Sequence, residues 1–122
     1  MERSLVSVVD DDESVRESLP DLLRELGFAA RAFNSAEEYL TSDVLNETRC
    51  LILDIAMPRM SGRELHRELV QRGTTTPVIF ITAQTDETLH SSVLAQGAVA
   101  CLFKPFTEQE LGSALDVALR DR

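Results

Sequence analysis

"CLILD", residues 50–54, is an unbroken apolar run closed by a single carboxylate. A strand with one wet face alternates apolar and polar residues, and this one does not. It reads as a strand buried on both faces, the condition of a parallel sheet covered by helices on each side. The pattern recurs along the chain. "LVSVV" (5–9) stops at three aspartates, "PVIFIT" (77–82) ends at Thr82, and "AVACLF" (98–103) ends at Lys104. "FAARAF" (28–33) reads as one more strand, with β-type patterning and no carboxylate at its end.

Helical periodicity fills the gaps between these runs. In "ESVRESLPDLLREL" (13–26), Val15, Leu19, Leu22, Leu23 and Leu26 recur at helical spacing, and Gly27 supplies a stop. Pro20 lies inside that helix and is expected to kink it near Arg16, because the ring clashes with the carbonyl four residues back. "SAEEYL" (35–40) starts a helix behind a serine cap. "GRELHRELVQR" (62–72) is a third helix closed by Gly73, "DETLHSSVLAQ" (86–96) a weaker fourth closed by Gly97, and "EQELGSALDVALR" (108–120) a fifth. Strand and helix alternate five times, without a linker, repeat or low-complexity stretch. That order predicts an α/β, flavodoxin-like (βα)5 doubly wound parallel sheet, one domain over residues 1–122, with strand order 2-1-3-4-5.

The composition agrees with a globular domain of ordinary size, 43% hydrophobic and 27% charged over 122 residues. The net charge of −9 repels phosphate backbones, so direct nucleic-acid binding by this domain is not expected. Cys50 and Cys101 sit within or beside apolar runs and read as reduced core residues. There is no long apolar segment near the N-terminus, and none of the roughly 18 residues a membrane span needs, so a cytoplasmic location is expected.

In sheets of this type, ligands bind beyond the carboxyl ends of the strands. Four strand ends carry Asp10 and Asp11, Asp54, Thr82 and Lys104. Lys104 is the only lysine among 12 basic residues, a compact ammonium where every other position uses arginine. Clustered carboxylates call for a hard divalent cation, Mg²⁺ or Mn²⁺. Asp54 has the chemistry of a phosphoryl acceptor, and Thr82 and Lys104 that of partners for a phosphoryl oxygen. Each has a bland alternative: Asp10–Glu13 as a helix cap, Asp54 as a turn former, Thr82 as an ordinary strand residue, Lys104 as a solvated charge. Their joint placement at successive strand ends favours the phosphoacceptor reading. His66 and His90 read as surface residues, and Met57 and Met60 as packing.

"VVDDD" (8–12), "LILDIAMPRMSG" (51–62), "VIFITA" (78–83) and "LFKPF" (102–106), in this order and spacing, resemble the receiver domain of two-component response regulators, the CheY-like superfamily. Within it the chain is most similar to receivers of FixJ-like regulators, which precede a LuxR-type helix-turn-helix domain. The resemblance implies a switch, not a turnover enzyme, phosphorylated on Asp54 by a sensor histidine kinase in a Mg²⁺-dependent reaction. It implies Asp11 as a direct metal ligand, Asp10 acting through a metal-bound water, and the Ala56 backbone carbonyl completing the set with Asp54. Thr82 would be the switch hydroxyl, the Ala83 amide and Lys104 would contact the phosphoryl group, and the Lys104–Pro105 bond would be cis. Ala56 and Gln84 would flank the water that hydrolyses the acyl phosphate. The output would be a homodimer through the fourth helix, fifth strand and fifth helix, controlling transcription through a DNA-binding domain outside these residues.

One position departs from the family pattern. Where receivers carry an aromatic ring three residues before the lysine, this chain has Cys101, so coupling between Thr82 and the last helices is expected to be weaker or to run through the backbone. Among rivals, a phosphatase of the haloacid dehalogenase type needs an acid two residues after its nucleophile, where Ala56 stands. A flavodoxin-like cofactor binder would want amides and hydroxyls where the acidic first loop lies. A receiver that signals by contact without phosphorylation is disfavoured by the intact acid cluster.

Overall fold

The computed structural model describes residues 3–83 and 87–120. Five strands form one parallel sheet: β1 (Leu5–Val9), β2 (Ala29–Phe33), β3 (Cys50–Asp54), β4 (Val78–Thr82) and β5 (Ala100–Phe103), in the order β2-β1-β3-β4-β5. The five helices are α1 (Glu13–Glu25), α2 (Ala36–Leu40), α3 (Gly62–Gln71), α4 (Glu87–Ala95) and α5 (Glu108–Leu119). The predicted architecture and strand order are therefore those observed.

Two buried layers sandwich the sheet. On one side Val6, Val8, Ile52, Ile79 and Ile81 pack against Leu19 and Leu23 of α1 and Leu111 and Leu115 of α5. On the other, Leu51, Leu53, Phe80 and Cys101 meet Tyr39 of α2, Leu65 and Leu69 of α3, and Val93 of α4. All five residues of β3 and all five of β4 are buried, which is why their sequences run apolar without alternation. Cys50 and Cys101 are buried thiols, neither of them in a disulfide.

The helix termini follow the local sequence. Asp12, Ser35, Ser61 and Thr107 cap the starts of α1, α2, α3 and α5, and the caps of α3 and α5 are reciprocal boxes with Glu64 and Glu110. Gly27, Gly73 and Gly97 follow α1, α3 and α4 with φ of 102°, 83° and 117°, a region a side chain rarely enters. α1 runs as a single element through Pro20, whose ring is buried.

His66 corrects the sequence reading: it is buried, not on the surface. It shares the inward face of α3 with Gly62 and Leu69, one helical turn to either side. Its ring meets Phe80 edge-on at 5.7 Å, and its Nδ1 lies 3.1 Å from the Gln96 side-chain nitrogen. Desolvation holds its pKa below the usual imidazole value. His90 is half-buried and stacks on Phe103, with ring centroids 5.4 Å apart. Met57 is buried and Met60 packs on the same core, as expected.

Candidate functional site

Parallel register carries the polar strand ends to one edge. Val9 pairs with Leu53, so Asp10 and Asp54 emerge level with each other. Asp54 pairs with Ile81 and Thr82 with Phe103, which brings Thr82 and Lys104 to the same edge. The Lys104 amide donates to the Thr82 carbonyl at 2.8 Å. The Lys104–Pro105 peptide bond is cis.

Carboxylate oxygens of Asp10, Asp11 and Asp54 lie within 4.8 Å of one another. Asp10 is wholly buried, Asp54 nearly so, and Asp11 exposed. The Lys104 ammonium sits 2.9 Å from Asp10 Oδ2 and 3.8 Å from Asp54 Oδ1. Asp10 Oδ1 accepts from the Asp12 amide at 2.9 Å. Oδ2 touches the ammonium but receives no well-aligned hydrogen bond. One cation thus faces three carboxylates, two of them buried, and the balance stays negative.

The electrostatic cost falls on Asp54. Burial first, and then the neighbouring Asp10 charge, raise its pKa from 3.8 to about 7 against the opposing pull of Lys104. For Lys104, burial works toward a lower pKa, but the close polar contact and charge of Asp10, with Asp54 behind it, outweigh burial and raise it. All three acids offer hard oxygen donors, one buried oxygen lacks an aligned donor, and their mutual repulsion is relieved by added positive charge. The set fits a hard divalent cation and not a soft one.

Other predicted positions fall around this cluster. Thr82 is buried at its strand end. Ala56 and Ala83 are exposed beside the edge. Gln84 lies outside the described residues. Cys101 is away from the cluster, in the core layer with Phe80 and Val93, and burial raises its thiol pKa. Asp12 caps α1 by accepting from the Ser14 amide and hydroxyl, so it serves the helix.

Two contributors were missed from sequence. Gly62, read only as the first residue of the third helix, lies directly against Asp54: a Cβ there would collide with the Asp54 carbonyl oxygen. Its amide donates to the Ile55 carbonyl at 3.0 Å, so α3 starts pressed onto the end of β3. Arg16, read only as the residue below Pro20, donates from Nη1 to the Asp10 carbonyl at 3.0 Å. The glycine in "MPRMSG" was a signal available in the sequence; nothing in the sequence marked Arg16.

The family model of the response regulator receiver domain matches residues 6–116. The chain belongs to this family. Response regulator protein TodT of Pseudomonas putida is 38% identical over 117 residues, covering 96% of this chain and 52% of that protein. Nodulation protein W of Bradyrhizobium diazoefficiens is 41% identical over 121 residues, covering 98% of this chain and 53% of that one. This receiver domain therefore spans about half the length of the curated relatives it matches. Its fold overlays the crystal structure of FixJ-N with a TM-score of 0.87 at 35% identity, over 100% of this chain and 98% of that one. Other relatives are transcriptional regulators by name, among them FixJ of Azorhizobium caulinodans. Among the described residues, no helix of the receiver domain is long and apolar enough to cross a membrane.

Proposed function

We propose that this receiver domain takes a phosphoryl group on Asp54 from a sensor histidine kinase and changes its surface in response. The observation that carries the reading is the cluster itself. Asp54 shares one strand edge with two further carboxylates, and a single ammonium spans Asp10 and Asp54. A carboxylate oxygen of Asp54 attacks phosphorus, the bond from phosphorus to the donor's histidine nitrogen breaks, and that nitrogen leaves with the electron pair. Asp10, Asp11, Asp54 and the Ala56 carbonyl are the residues to hold Mg²⁺, which when bound supplies charge stabilisation to the phosphoryl oxygens.

Lys104 changes partners in this scheme. Before transfer it neutralises Asp10 and Asp54; afterwards it pairs with a phosphoryl oxygen, together with Thr82 and the Ala83 amide. Phosphorylation adds about 1.5–2 negative charges beside these groups, enough to favour a second arrangement of the loop after Thr82. The output is binding, as a homodimer through α4, β5 and α5, and transcription control by a DNA-binding domain, in keeping with the relatives' names. Cys101 has no ring to swing toward Thr82, so the change reaches α4 through the backbone of β4 and its following loop.

The experiment is intact mass after incubation with acetyl phosphate, with and without Mg²⁺, for the wild type and Asp54→Asn. A metal-dependent gain of one phosphoryl group, absent from the variant, is expected. An equal gain in Asp54→Asn would overturn the assignment.

A further inference from the structure

Arg16 is the fourth residue of α1 and half-buried beside the most acidic part of the molecule. Among the described residues it forms no ion pair with Asp10, Asp11 or Asp54. Its guanidinium donates instead to the Asp10 main-chain carbonyl, the oxygen of the peptide that joins Asp10 to Asp11. That peptide lies in a turn fixed from several sides. The Asp10 amide donates to the Phe33 carbonyl at 3.1 Å, Asp10 Oδ1 accepts from the Asp12 amide, and the Asp12 carbonyl accepts from the Val15 and Arg16 amides.

Asp11 is the one acid of the cluster that no side-chain hydrogen bond or ion pair orients among the described residues. The direction of its exposed carboxylate therefore depends on the main chain at residues 10–12, and Arg16 clamps that main chain from α1. A donor spent on a carbonyl, with carboxylates nearby, serves geometry before charge.

We propose that Arg16 is a positioning residue for the divalent-cation site, holding the Asp10–Asp11 peptide so that the Asp11 carboxylate faces Asp54. The inference rests on the metal reading given above. It has a property that makes it easy to break: the two things Arg16 brings act in opposite directions. Its positive charge near the site repels a cation, so removing it tightens cation binding if charge is all that matters. Its hydrogen bond organises a ligand, so removing it weakens binding if positioning matters. The sign of the change separates the two roles.

The test is Mn²⁺ binding to the whole chain, followed by the electron paramagnetic resonance signal of free Mn²⁺, with Mg²⁺ as competitor. Arg16→Met keeps the apolar stem and loses the donor; Arg16→Gln loses the charge and keeps an N–H. The expected result is binding about 10-fold weaker in Arg16→Met, at the low end for residues that orient metal ligands. Arg16→Gln should be weakened less, and urea unfolding without metal should be little changed in either. Binding as tight as wild type, or tighter, in Arg16→Met would overturn the proposal, as would Arg16→Gln binding no better than Arg16→Met. If Arg16→Met does not fold, Arg16→Leu, which also removes the donor, decides by the same criterion. Asp11→Asn is the separate control: if it binds Mn²⁺ as well as wild type, the metal reading itself fails, whatever Arg16 does.

Discussion

Two buried polar side chains stand three residues apart, Ser7 within β1 and Asp10 just past its end, and they belong to opposite kinds of cluster. Ser7 lies 2.8 Å from the Thr48 hydroxyl, which donates to the Val44 carbonyl at 2.9 Å. With the Thr48 proton so directed, Ser7 is the donor between them. Burial raises the pKa of the neighbouring Tyr39 phenol. This group is neutral and closed: each hydroxyl finds its partner within the chain. The Asp10 group is charged and open. It holds three carboxylates against one lysine, a buried oxygen without an aligned donor, and an Asp54 whose pKa is pushed to about 7. Buried polar groups that satisfy one another hold a fold together, whereas buried charges left short of partners are waiting for a ligand.

The contrast can be broken most forcefully from below the open cluster. Gly62→Ala places a Cβ on the Asp54 carbonyl, and since that atom is main chain, α3 has to move off β3. We expect a loss of about 3 kcal/mol in urea unfolding, at the upper end for overpacking, with weaker cation binding alongside. An unchanged midpoint would show that the α3–β3 contact is slack.

Next in size is a substitution that should stabilise. Asp54 has a folded pKa near 7 against an ordinary 3.8, so between these values the folded state holds more proton than the unfolded one. Stability from this group is therefore lost as pH rises through that window, and the penalty is complete above about pH 7. Asp54→Asn removes the titration and should stabilise the metal-free domain on the order of 2 kcal/mol at pH 8. The gain should vanish below the ordinary carboxylate value. A gain that is the same at both ends of the pH range would mean that charge is not its cause.

The smallest expected effect belongs to the closed cluster. Thr48→Val keeps the shape and strands the Ser7 hydroxyl in the core, costing about 1–2 kcal/mol. No carboxylate or amine is involved, so the loss should not change between pH 5 and 8, nor with added Mg²⁺. Dependence on either would join the two clusters that the structure keeps apart.

How far the sequence could be read differs between parts of the molecule. The strands, the Ser35 cap and the glycine stops were legible because each follows from a few neighbouring residues. The strand-end residues were legible once the topology was granted, since a parallel order places every carboxyl end on one edge. His66 was misread because its burial depends on Phe80 and Gln96, residues of other elements, and a polar side chain at a helical position carries no mark of what packs on it. Arg16 escaped notice for the same reason: its partner is a carbonyl, and carbonyls are present at every residue.

By itself, then, the sequence determined the alternation of elements, the sheet order and the identity of the groups at its edge, because periodicity, caps and chain order are local or follow from handedness. Only the tertiary structure decided how those groups load one another: that Lys104 spans Asp10 and Asp54, that Asp54 bears the cost of the burial, that Gly62 must lack a side chain, and that Arg16 clamps the acidic turn. Those are facts of distance and desolvation, and they depend on which distant segments come to rest against each other.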